Sequence, residues 1–132
     1  MLNLEQDIYF QKAYAALYAA AGSQAYVDEF DYCEGNHSFK HIGIKRRISE
    51  IGGKAIQGDI YDMQTPYGYG GMLLNTGDAR FISEAFKAYR AHCSKGHITA
   101  AFYTFHPFLP KFEEMKSQFN FLRKDGKSVV WG

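Results

Sequence analysis

The residues best suited to chemistry lie in one run, Tyr61-Asp62-Met63-Gln64-Thr65-Pro66-Tyr67-Gly68-Tyr69-Gly70-Gly71. Thr65-Pro66 forces an extended exit from the preceding strand, because the proline ring disfavours helical angles at the residue before it. Gly68, Gly70 and Gly71 open backbone angles closed to other residues, and they let a ligand or another backbone approach closely. Tyr67 and Tyr69 are then presented on a tight loop beside Asp62 and Gln64, where two phenols and exposed amides make a polar recognition surface. Phosphate-binding loops do not fit: the third glycine of the dinucleotide fingerprint is missing, and so is the Gly-Lys-Ser/Thr of a P-loop.

Other groupings are weaker. Cys33, His37 and His41 are spaced by four, which would stack metal ligands on a helix. The Gly35-Asn36 turn interrupts that spacing, so surface residues are favoured over zinc and no metal is expected. His92, Cys93 and His97 straddle a helix end, where His97 favours the dipole. Cys93 and His106 could form a nucleophile–base pair, but Cys93 falls on an apolar helical face and reads as a buried, inert thiol. His106 sits before Pro107 at the end of a strand, a position suited to a site residue.

These residues need a scaffold, and the periodicities describe one. Apolar spacing predicts helices over Gln11–Ala21, with Ala13, Tyr14, Leu17, Tyr18 and Ala21 on one face, and over Asp78–Lys95, with Phe81, Ile82, Ala85, Phe86, Tyr89 and Cys93 on one face. Asp7 and Asp78 are expected to cap these helices at their starts, and Gly22 and Gly96 to end them. Strands are expected over Gln24–Glu34, Ser38–Ile48, Lys54–Met63, His97–His106 and Ser128–Trp131. Phe39, Ile42, Ile44 and Ile48 carry the apolar side of the second strand, with a bulge near Gly43. A shorter helix is expected over Lys111–Leu122, and a turn at Asp125-Gly126. Hairpins followed by alternating elements imply an α+β (mixed α/β) fold: a mixed, mostly antiparallel sheet with helices packed on it, one domain over residues 1–132.

Composition sets the class. The chain has 132 residues, 46% hydrophobic and 17% aromatic, enough to bury a core. Its net charge of +1 argues against a large nucleic-acid footprint, DNA included, which needs a basic stripe. The longest apolar stretch, Tyr14 to Ala21, is too short to span a bilayer, and neither a leader nor a paired-cysteine spacing is visible; a cytoplasmic protein is expected.

Asp62 and Thr65 through Gly71 match a run, Asp-x-Glu-Thr-Pro-Tyr-Gly-Tyr-Gly-Gly, that resembles the signature of FemAB-like acyltransferases of the GNAT superfamily; Gln64 replaces the acidic residue. Asp7-Ile8-Tyr9-Phe10 followed by Tyr14 resembles the family's opening. Ile98 to Pro107 resembles the strand that ends Phe-x-Arg-Phe-His-Pro, with Thr104 in place of the arginine. The resemblance implies a GNAT-like half domain, the N-terminal of two, taking part in cell-wall or polysaccharide biosynthesis. It implies N-acyl transfer to an amine acceptor such as an amino sugar or a glycan or peptide cell-wall precursor. It also implies acyl-CoA or aminoacyl-tRNA as donor and a second GNAT-like half, or a homodimer, as partner. Such transfer needs an aligned amine, an oxyanion donor and a proton acceptor. His106 and Asp62 are the candidate catalytic residues, as proton acceptors. Gln64, Tyr67, Gly68, Tyr69, Gly70 and Gly71 are the candidate substrate-binding residues, with Tyr67 or Tyr69 for polarisation and the Gly70 and Gly71 amides for oxyanion or substrate contacts. No Gln/Arg-x-x-Gly-x-Gly/Ala loop for a CoA pyrophosphate is found; Arg123-Lys124-Asp125-Gly126-Lys127-Ser128 is the nearest string, and no cofactor is evident in the chain. A non-catalytic ligand- or protein-binding module on the same fold, and self-assembly through an open strand at Ser128–Trp131, are the alternatives.

Overall fold

The computed structural model describes residues 12–20, 24–65, 70–106, 108–119, 121–122 and 128–131. Strands β1 (Ala25–Glu34) and β2 (His37–Arg47) form a hairpin whose register runs unbroken from Ala25↔Arg46 to Glu34↔His37. Gly35 turns the corner with φ +60°, an angle that favours glycine. Asn75 pins this turn from outside: its Oδ1 accepts the Ser38 N–H at 2.8 Å and its Nδ2 donates to Asn36 O at 2.7 Å. Strand β5 (Tyr61–Gln64) lies antiparallel to β2, and β7 (Ile98–Thr104) lies parallel to β5. A parallel neighbour needs a long crossover, and α2 (Ala79–Lys95) lies within it. Strand β9 (Ser128–Trp131) pairs antiparallel with both β7 and β8 (Phe121–Leu122). The sheet order is thus β1-β2-β5-β7-β9-β8, with the short β6 (Leu73–Leu74) also on β2. The fold is mixed α/β with a mostly antiparallel sheet.

Helix α2 covers one sheet face. The Asp78 carboxylate caps it by accepting the Phe81 N–H at 2.8 Å. The stripe Phe81, Ile82, Ala85, Phe86, Tyr89 and Cys93 is buried as its spacing predicts. It packs on Phe30 and Tyr32 of β1 and on Phe39 of β2, with ring pairs such as Phe39–Phe86 at 5.1 Å edge to face. Helix α1 (Lys12–Ala20) packs on β1 and β2, with Ala15 and Ala19, one helical turn apart, both buried. Ile42 and Ile44 therefore lie on the sheet face opposite Phe39, rather than on one apolar side with it, and both faces of β2 are covered.

Several elements differ from the sequence expectation for identifiable reasons. The expected strand Lys54–Met63 is two elements. Lys54–Ala55 (β4) closes a small hairpin with Glu50–Ile51 (β3), and Gly58, at φ +106°, separates it from β5. The expected helix Lys111–Leu122 stops early: α3 (Phe112–Met115) passes into a 3-10 turn over Lys116–Gln118, and residues 121–122 are drawn into pairing with β9. No bulge occurs in β2 at Gly43. A side chain there would meet His41 Cε1 and Met63 Sδ at 2.7 Å, so the glycine serves close packing instead. At the end of α2 the left-handed residue is His97 (φ +59°), while Gly96 has φ −85°. A Cβ on Gly96 would come within 3.1 Å of Lys45 Nζ, which lies over the Tyr61 ring. Ala13, expected on the buried face of α1, is exposed. Ser128–Trp131 has both edges paired, so it is not the open strand that self-assembly would use. Asp7 to Phe10, Gly22 and the Asp125-Gly126 turn lie outside the described residues.

Candidate functional site

Of the sequence candidates, Gly70, Gly71 and His106 gather beyond the carboxyl end of β7, whereas Asp62, the second residue of β5, is set back along the strands opposite Ala100. Past β5, the Thr65 N–H donates to Phe102 O at 3.2 Å, and Thr65 Oγ1 accepts the Thr104 N–H at 3.1 Å. The chain returns at Gly70, whose N–H donates to Thr104 O at 2.9 Å; its carbonyl accepts the His106 N–H at 3.0 Å. Both ends of the glycine loop are therefore stitched to the end of β7. Tyr67, Gly68 and Tyr69, between those ends, lie outside the described residues. Gly71 has φ +121°, and a Cβ there would sit 2.8 Å from Phe105 Cδ1 and 2.9 Å from Leu109 Cδ2. It serves as a packing position against β7. The Gly70 amide, expected as an oxyanion or substrate donor, is taken up by the strand ladder instead.

Strand alternation sorts the remaining candidates by face. Met63, Ala101 and Tyr103 are buried on the α2 side, so Asp62, Gln64, Phe102 and Thr104 share the opposite face. Phe102 is 47% exposed there, an uncommon placement for a phenylalanine on a central strand. Asp62 is cross-strand partner to Arg46, with 4.0 Å between Arg46 Nε and Asp62 Oδ1. That oxygen is buried and has no hydrogen-bond partner among the described residues. Burial holds the Asp62 carboxyl above the ordinary aspartate value, with the Arg46 charge pulling the other way. Asp62 is therefore the group of this site whose surroundings favour taking up a proton.

His106 is buried just beyond β7. Its Nδ1 accepts the Phe108 N–H at 3.1 Å.

The other sequence groupings separate in space. Cys33 is exposed on the face of β1 opposite the one that carries His37 and His41 toward α2. Among the described residues, no group of three or more metal-ligating side chains is gathered. Cys93 is buried at the other end of β7, and burial pushes its thiol up to about 12 against a hydrogen bond with Tyr89. His92 meets both oxygens of Asp28 at 2.9 Å and ties α2 to β1.

Sequence reasoning missed the buried polar chain beneath α2. His41 Nδ1 lies 3.2 Å from the Tyr89 hydroxyl, which lies 2.8 Å from that of Tyr103. The available signal was His41 at strand spacing two residues from Phe39, together with a tyrosine on the apolar stripe of α2 that needed a partner. Arg46 was also missed as a neighbour of the site, because only the cross-strand register brings it there.

No helix among the described residues is long and apolar enough to cross a membrane. No protein-family model matches the chain, and neither does any curated protein or solved structure.

Proposed function

We propose that this chain is the acceptor-side half of a GNAT/FemAB-like N-acyltransferase and takes an amine-bearing sugar or cell-wall precursor on the open side of β5 and β7. The observation that carries the reading is Asp62: a half-buried carboxyl on the parallel pair of β5 and β7, one oxygen of which is buried without a hydrogen bond among the described residues and lies 4.0 Å from Arg46 Nε. A carboxylate so placed pairs with an ammonium group and takes the proton released as the amine attacks an acyl carbonyl. In this reading Gln64 and the loop residues Tyr67, Gly68 and Tyr69 hold the acceptor. Gly70 and Gly71 let the loop lie close on β7, at the end where His106 sits. A second GNAT-like half supplies the acyl-CoA or aminoacyl-tRNA site.

Titration with glucosamine, followed by amide NMR, tests it. Saturable shifts are expected at Asp62, Gln64 and Gly70, with none from glucose and none in Asp62→Asn. Undiminished glucosamine binding by a Tyr67→Ala, Tyr69→Ala double variant overturns the reading.

A second reading, a non-catalytic ligand- or protein-binding module built on the same scaffold, is favoured by one observation: the Gly70 amide is already bonded within the sheet. Thermal-shift measurement with acetyl-CoA separates the two, since a ligand that binds the native state raises the melting temperature. Stabilisation by acetyl-CoA supports the transferase; its absence, with glucosamine still bound, supports the module.

A further inference from the structure

A cavity of about 150 Å³ opens at the far end of β7 from His106, lined by Arg90, Cys93 and Ser94 of α2 and by residues 98–101 of β7. Two features of the strand create it. The register between β5 and β7 slips by one residue, with Tyr61 opposite Ile98 and Asp62 opposite Ala100, so Thr99 is the extra residue of a bulge. In addition, β9 pairs with residues 101–104 only, and among the described strands the same edge of residues 98–100 has no neighbour. Backbone groups of that edge therefore line a recess instead of a ladder.

Among the described residues, the charge in this recess has no opposite partner. Arg90 is half-buried, and its one hydrogen bond among the described residues runs from Nη1 to Gln118 Oε1 at 3.4 Å; no carboxylate among them pairs with it. A guanidinium has five N–H donors in a planar fork suited to two carboxylate oxygens. Ser94 adds a hydroxyl beside it. The floor is apolar: Ile98 packs against the core, and Ala101 is buried. The Cys93 thiol stays uncharged, so it adds no repulsion toward an anion.

We propose that this cavity is a binding site for a small carboxylic acid, its carboxylate on the Arg90 fork and Ser94 and its short apolar body on Ile98 and Ala101. The size agrees, since a dry protein cavity of about 150 Å³ holds a molecule as large as benzene. The site stands apart from the acceptor face described above and does not depend on its role.

Propionate is the probe, and propanamide is its uncharged counterpart of the same shape. Amide NMR titration of the whole chain should show saturable shifts at Ser94, Thr99 and Ala100 with propionate, at least roughly tenfold weaker with propanamide, as expected when a charge-assisted fork is lost. Arg90→Met should lose the propionate response to the same degree. Arg90→Lys, which keeps the charge without the fork, should fall between parent and Arg90→Met; it also serves as the test if the methionine variant fails to fold. Equal response to the two probes, shifts confined to the Gly70–His106 end, parent-like binding by Arg90→Lys, or no saturable shift overturns the proposal.

Discussion

Acid should destabilise this protein through His41. The ring is 1% exposed, packed edge-on against Tyr89 and Tyr103, and bonded through Nδ1 to the Tyr89 hydroxyl. Burial, with a smaller contribution from the nearby His92, lowers its pKa from 6.5 to about 3. The unfolded chain thus binds a proton below about pH 6.5 that the folded chain does not bind until about pH 3. Stability is fully present above the unfolded value, falls as the pH drops through it, and stops falling near the folded value. At pH 5 the unfolded histidine is about 97% protonated and the folded one almost wholly neutral, so this group alone removes about 2 kcal/mol relative to pH 7.5. That is a sizeable share of a domain's usual stability of about 5–15 kcal/mol. The assay is urea unfolding at both pH values for the parent and for His41→Gln, which keeps a polar group near Tyr89 but does not titrate. Other carboxylates and histidines contribute to both proteins, so the informative quantity is the difference between the two pH dependences. It should be about 2 kcal/mol, with the variant less sensitive to acid. Equal pH dependence in parent and variant, or a His41 ring resonance that titrates near 6.5 in the folded protein, refutes the reasoning.

Two further outcomes follow from the packing. Gly71→Ala forces a Cβ to within 3 Å of Phe105 and Leu109 at a φ of +121°, so it should cost about 2 kcal/mol or more, read as a lower urea midpoint with unchanged slope. With the exposed Cys33 open to reagent and the Cys93 thiol raised to about 12, the native protein should react with one equivalent of a thiol reagent at pH 8 and with two in denaturant; two fast equivalents in the native state would contradict the burial of Cys93.

What the sequence disclosed tracks the length of each periodic signal. Helix α2 carries six buried side chains over 17 residues, and its apolar stripe and Asp78 cap were legible in full. The hairpin of β1 and β2 was equally plain, because ten cross-strand pairs flank an obvious turn. Strands β3, β4 and β6 contain two residues each, too few for any alternation to appear. Residues 111–122 misled for a different reason. Their local pattern is helical, but partners distant in sequence decide the outcome: Phe112 and Phe119 both turn onto the Phe105 ring, at 5.0 and 5.1 Å, and residues 121–122 join β9. Tertiary contacts overrode a weak local preference.

The candidate site was legible as a list of residues but not as a geometry. Spacing alone could say that Asp62 and Gln64 share one face of a strand, and they do. It could not say that Arg46 lies opposite Asp62, since that depends on the register of β2 against β5. Nor could it say which nitrogen of His106 is used, because the answer comes from the turn at Phe108, whose amide occupies Nδ1. The glycines show the same division. Gly70 and Gly71 read as freedom for a ligand to approach, yet what approaches them in the fold is β7 itself: Thr104 O takes the Gly70 amide, and Phe105 and Leu109 fill the space over Gly71. A glycine signals close approach, and only the fold names the neighbour. On this face the Asp62 carboxyl keeps a buried oxygen without a hydrogen bond among the described residues, 4.0 Å from Arg46 Nε, while the Gly70 amide is already bonded.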